Sequence, residues 1–319
     1  MSDTRPESFI DCFELYFEDC HSSGQSLSTV RIKECNLNLF LKWSVGEAIA
    51  SPYDLTKKDL ERYKRYLNTY INPRTNELLS LATRKKRLEA VKTFYSRLAY
   101  LEIIEQSPLD KFELPKVPKS LPTAFLTFKD LERVFQQCDY AGLKGIRDRA
   151  IMETFYATAI RRMELGRLKL WNIERSETGL AQVRVNKGKG AKDRYVPISN
   201  RALKYVDKYL KECRPILETF HSDTTLFLNN QGKAFTETQL SELVKKYLLK
   251  AGFEVNASCN VFRHSAATHM LENGANLRQI QEFLGHSDLS TTQVYTHVVR
   301  NELNNAYIQC HPSAREDSL

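Results

Sequence analysis

The sequence predicts a mainly α protein with a small antiparallel β-sheet, arranged as two domains. Three features point to it. Apolar residues recur at helical spacing, as in Leu88, Val91, Phe94, Leu98 and Leu101. Three short segments near 168–174, 181–186 and 193–198 break that period, and turn signals at Glu177–Gly179 and Gly188–Gly190 separate them. The stretch KFELPKVPKSLPT (111–123) holds three prolines, three lysines and no apolar period. Each proline biases its predecessor toward extended backbone, so this stretch is expected to be a basic linker. The domains expected are 1–110, wholly helical, and 124–319, α+β.

Before the linker, helices are expected over 6–20, 27–43, 56–71 and 80–102, with Ser28, Thr56 and Thr83 as N-cap candidates. In the third, Leu60, Tyr63 and Leu67 share one face, leaving Lys57, Lys58, Arg62, Lys64 and Arg65 on the others. In the fourth, Arg84, Lys85, Arg87, Lys92 and Arg97 lie off the apolar stripe. Such helices are either amphipathic with a solvated face or set against a nucleic-acid backbone, where Lys and Arg meet phosphates. After the linker, helices are expected near 127–138, 143–157 and 160–166. The three strands follow, and then helices over 199–212, 236–250, 261–274, 276–284, 290–296 and 298–308.

Composition narrows the partners. Hydrophobic residues make up 42% and charged residues 27% of 319, enough to bury real cores. The net charge of +8 favours a polyanionic partner. Residues 1–56 carry 4 Lys+Arg against 9 Asp+Glu, whereas 57–97 carry 12 against 4, so the positive charge is local. The seven cysteines (12, 20, 35, 138, 213, 259 and 310) are odd in number and lack a C-x-x-C spacing. They are expected to be reduced thiols rather than a disulfide frame or a zinc site. With no long apolar run and no leader-like pattern, a soluble, cytoplasmic protein is expected.

Five polar residues stand in short segments of the second domain. Arg161 lies in ATAIRRMEL, where Glu164 one turn on could hold its planar fork toward phosphate oxygens; a surface ion pair is the plainer alternative. Lys189 sits in a Gly-Lys-Gly turn, with Lys192 and Arg194 as nearby alternatives for a mobile cation. Arg263 stands among Phe262, Ala266, Met270 and Leu271, an apolar setting that is costly for a charge unless an anion or carboxylate meets it. His286 follows Leu284-Gly285, and Tyr295 comes nine residues later. Two guanidiniums, a lysine and a histidine can hold one phosphodiester, and a tyrosine hydroxyl can attack it.

From 156 to 312 the chain resembles the catalytic domain of tyrosine recombinases, the phage-integrase family. Xer-like bacterial members are the most similar, through LGHSDLSTTQVYTHV and CHPSA. The N-terminal helices and LPKVPKSLP are similar in pattern to that family's core-binding (SAM-like) domain and tether. The resemblance implies a site-specific DNA recombinase that cleaves and rejoins DNA through a 3′-phosphotyrosine, in integration, excision or resolution. By the same resemblance Arg161 and Arg263 clamp the scissile phosphate and Lys189 is the general acid. His286 hydrogen-bonds the phosphate, Tyr295 is the nucleophile and Glu164 is an acidic support. It implies double-stranded DNA with a specific site as partner and a tetramer on two sites, or a paired recombinase. The helix near 298–308 would dock on a neighbouring protomer, and no cofactor or metal is needed.

Two positions depart from the family pattern. The usual His-x-x-Arg reads Asn260-Val261-Phe262-Arg263, and Asn can donate to a phosphate but cannot take a proton. Ala159 stands where glycine is usual, which should tighten the turn before Arg161 only mildly. Slower but real catalysis is expected. The alternatives are a DNA-binding protein of the same fold that has lost turnover, and a relaxing type IB topoisomerase.

Overall fold

The computed structural model describes residues 6–118, 125–176, 180–186, 193–253 and 259–285. The chain divides into two units, Met1–Lys119 and Ser120–Leu319.

The first unit has four long helices, α1 (Phe9–Ser22), α2 (Leu27–Gly46), α3 (Lys57–Thr69) and α4 (Leu81–Tyr100). Each starts at a side-chain cap: Ser8, Ser26, Thr56 and Ser80 each accept a hydrogen bond from a backbone N–H of the first turn. Thr56 was expected, but Ser26 and Ser80 replace Ser28 and Thr83. Ser28 and Thr83 fall within the first turn, where their hydroxyls hydrogen-bond the true caps. Helix α3 is shorter than expected because Pro73 draws Asn72 into extended backbone. A hairpin that the sequence reading missed follows, with β1 (Ile71–Asn72) antiparallel to β2 (Glu77–Leu78) and Asn76 left-handed in its turn. Leu60, Tyr63 and Leu67 of α3 and Leu88, Val91, Phe94 and Leu98 of α4 are all buried. Aromatic rings fill the space between helices: Phe13 meets Phe94 edge-on at 4.9 Å between centroids, and Phe40 meets Tyr63 at 5.2 Å.

In the second unit, α5 (Phe128–Gln136) is capped by Thr127 and leads to α6 (Gly142–Thr158), which runs through the core. A short α7 (Arg162–Gly166) precedes the sheet of β3 (Ile173–Glu174), β4 (Gln182–Val185) and β5 (Arg194–Pro197), antiparallel in that order. Val183 pairs with Val196 and Val185 with Arg194. The first strand is shorter than expected, because residues 170–172 form a 3-10 turn. Helix α8 (Asn200–Lys208) runs through one π-turn into α9 (Arg214–Leu217), extending past the expected end at 212. The last described elements are α10 (Glu237–Lys250), α11 (Asn260–Glu272) and α12 (Leu277–Leu284). Phe262 of α11 stacks between Phe135 and Phe155, with centroids at 6.0 and 6.4 Å, which locks α11 onto α5 and α6. The helices expected over 290–296 and 298–308 lie outside the described residues.

Candidate active site

Helix α6 ends where Ala159 adopts left-handed backbone at φ 46°, ψ 25°. The chain turns there and presents Arg161 at the start of α7. Glu164 reaches back and accepts from Arg161 twice, at 2.7 Å from its backbone N–H and at 3.0 Å from Nη1. Arg161 Nη2 donates to the carbonyl of Gly285 at 2.9 Å. The arginine side chain remains 33% exposed, so it is held from behind and open in front.

Arg263, in the first turns of α11, is only 6% exposed. Its Nη1 donates to Ala159 O at 2.5 Å and its Nη2 to Leu284 O at 2.6 Å. Those carbonyls lie at the C-terminal ends of α6 and α12, where the helix dipole favours a cation. The apolar surroundings of Arg263 are thus offset by two charge-assisted hydrogen bonds. Successive carbonyls, Leu284 and Gly285, each receive one of the two guanidiniums.

Glu164 has a further partner 30 residues on. Arg194, the first residue of β5, donates from Nη1 to Oε1 at 2.9 Å and from Nη2 to Oε2 at 2.8 Å. Burial alone would raise the Glu164 pKa. The hydrogen bonds from Arg194 and the Arg161 backbone, with the charges of both arginines, outweigh it and hold the carboxyl at about 2. Arg194, a nearby alternative to Lys189 by sequence, is bound to this carboxylate. Gly285 ends α12 at φ 62°, and a Cβ there would lie 2.6 Å from Arg194 Nε.

Asn260 is exposed as the first residue of α11. His264 is half-buried, and burial, with the adjacent Arg263 charge, lowers its pKa. His269 shares a 2.9 Å hydrogen bond with the Tyr156 hydroxyl and packs edge-on against it, a core role. Lys189, Lys192, His286 and Tyr295 lie outside the described residues.

The basic residues of α3 and α4 divide in two. Lys57, Lys58, Arg62 and Arg65 are exposed, although Arg62 pairs with Asp59 and Glu47. Lys64, Arg84, Lys85, Arg87, Lys92 and Arg97 are half-buried. Lys64 pairs with Glu61 and sits over the Phe112 ring, Arg84 donates to Asn68, and Arg87 lies over Tyr70. Lys92 donates to the carbonyls of Asp110 and Phe112, and Arg97 grips both oxygens of Asp19. Lys92 and Arg97 therefore hold their own unit together.

Residues 124–302 match the phage integrase family model. The chain is 39% identical over 308 residues to tyrosine recombinase XerC 2 of Ralstonia nicotianae, covering 96% of this chain and 87% of that one. The chain belongs to the phage integrase family. Tyrosine recombinase XerD of Listeria monocytogenes is 32% identical over 293 residues, covering 91% of this chain and 95% of the relative. The fold matches the XerH site-specific recombinase, solved bound to a palindromic difH substrate in a post-cleavage complex, with TM-score 0.72 and 23% identity. That likeness covers 89% of this chain and 80% of XerH.

For a phage integrase family member, the two departures have a clear structural setting. The left-handed conformation of Ala159 explains the usual glycine: a Cβ costs about 1–2 kcal/mol in that region. Asn260 stands one helical turn before Arg263 on α11, so its exposed amide lies on the side of the helix from which Arg263 projects.

Proposed function

We propose that this protein is a site-specific tyrosine recombinase whose scissile phosphate sits against Arg161 and Arg263. One observation carries the reading most: the two guanidiniums are anchored on consecutive carbonyls, those of Leu284 and Gly285, directly before His286. The Tyr295 hydroxyl releases its proton to solvent and attacks phosphorus, forming a 3′-phosphotyrosine as the bond to the 5′ oxygen breaks. Lys189 gives that oxygen its proton. Arg161, Arg263 and His286 complement the charge that builds on the non-bridging oxygens. Religation reverses the step with a 5′-hydroxyl as attacker, so the bond energy is kept and no nucleotide cofactor or metal takes part. Asn260 donates a hydrogen bond in place of the usual histidine, and the paired arginines lower the tyrosine pKa electrostatically.

Double-stranded DNA with a defined site is the partner. The exposed Lys57, Lys58, Arg62 and Arg65 supply phosphate contacts, with Arg84, Lys85, Arg87 and Lys64 beside them. Two sites are exchanged by a tetramer, or with a paired recombinase, in the cytoplasm, and the 298–308 segment docks on a neighbouring protomer. Purified protein should recombine a plasmid bearing two copies of the site, drawn from DNA flanking the gene, into two circles. Relaxation of supercoiled plasmids that lack any such site would contradict the reading.

A further inference from the structure

We infer that Arg194 is a positioning residue for the cleavage step, one that neutralises Glu164 so that Arg161 faces the phosphate with its charge uncancelled. This rests on the recombinase reading above. Glu164 is one negative charge shared by two guanidiniums, and its side chain is only 9% exposed. Arg194, itself 18% exposed, faces the carboxylate end-on, one Nη to each oxygen, and leaves one lone pair on each for Arg161. The trio keeps one net positive charge, and Arg161 is its more exposed, phosphate-facing member. Without Arg194, Glu164 and Arg161 would be a closed pair of zero net charge, its carboxylate end buried at 9% exposure and its guanidinium end open.

The surroundings fit a role beyond stability. Arg194 is paired with Val185 at the base of the hairpin whose connecting sequence contains Lys189, so the trio ties that hairpin to the Arg161 turn. The stem of Arg194 packs on Gly285, where a Cβ would come within 2.6–2.9 Å of its Nε, Cζ and Cδ. Its Nε is buried without a hydrogen-bond partner among the described residues.

The test is single-turnover covalent-adduct formation on a nicked suicide duplex, with DNA affinity measured alongside. Arg194→Ala should bind the duplex as tightly as wild type and form the adduct on the order of ten- to a hundredfold more slowly. Arg194→Lys, which keeps the charge but not the fork, should recover part of the rate. Adding Glu164→Gln to Arg194→Ala should speed the adduct again, by roughly tenfold, because no carboxylate is left to cancel Arg161. A purely structural pair predicts the reverse, a double variant no faster than Arg194→Ala. That result, or a wild-type rate in Arg194→Ala, overturns the inference and leaves the recombinase reading intact. Should Arg194→Ala fail to fold, Arg194→Gln with and without Glu164→Gln carries the same comparison. If the wild type forms no adduct on any flanking site, the recombinase reading fails and takes this inference with it.

Discussion

Glu164 accepts four hydrogen bonds from two arginines, and that crowding makes it a stronger acid than an ordinary glutamate. Its pKa of about 2 in the folded chain lies below the ordinary 4.5, so its ionised form stabilises the fold. The contribution is complete above the ordinary value and is lost as pH falls from 4.5 towards about 2. Thermal midpoints of wild type and Glu164→Gln should therefore differ near neutral pH and converge on acidification through that window. Ala159 sets up a second balance. Replacing it with glycine removes about 1–2 kcal/mol of left-handed strain but gives up a buried methyl worth about 0.8 kcal/mol and adds about 0.5–1 kcal/mol of chain entropy. These nearly cancel, so Ala159→Gly should change stability by less than about 1 kcal/mol in denaturant titration. At this scale the Arg161–Glu164 pair was legible, because the two stand one turn apart, whereas Arg263 was legible only as a charge in an apolar setting, its carbonyl partners at Ala159 and Leu284 lying far off in sequence. Arg194 was not: its partners Glu164 and Gly285 lie far away in sequence on both sides, and no period links them.

Helices were legible as elements because the apolar stripes fixed them, and the stripe of Leu88, Val91, Phe94 and Leu98 is buried throughout. Their ends were less so. A serine two or three residues upstream of a second hydroxyl is the better cap only when the turn geometry is known, as at Ser26 and Ser80. The hairpin of β1 and β2 was missed because each strand is two residues long, too short for an alternation to register. The end of α12 depends on one residue. Gly285→Ala would place a Cβ against the Arg194 side chain in backbone that already favours glycine, so the Arg194 guanidinium must shift where it meets Glu164. A loss of about 1–3 kcal/mol is expected, measured by chemical unfolding, with slower cleavage.

For the molecule as a whole, the charge contrast between residues 1–56 and 57–97 was visible in the sequence, whereas the division of labour among the basic residues was not. Lys92 and Arg97 belong to the periodic basic face yet turn back to Phe112 and Asp19. Of the proposed phosphate contacts, Lys57, Lys58 and Arg65 are exposed. Each one changed to alanine should reduce the slope of log affinity against log salt by about 0.9 if it neutralises one phosphate. Lys92→Ala should instead lower stability and leave the slope unchanged. The central claim is that Arg161, Arg263 and Tyr295 act on one phosphodiester although asparagine replaces the usual histidine. The most direct measurement is a denaturing gel of protein with nicked suicide duplexes from DNA flanking the gene, comparing wild type with Tyr295→Phe. A covalent protein–DNA band present in wild type and absent from Tyr295→Phe is the predicted result. A shifted complex with no covalent band would contradict the claim and make Asn260 the mark of a binding protein.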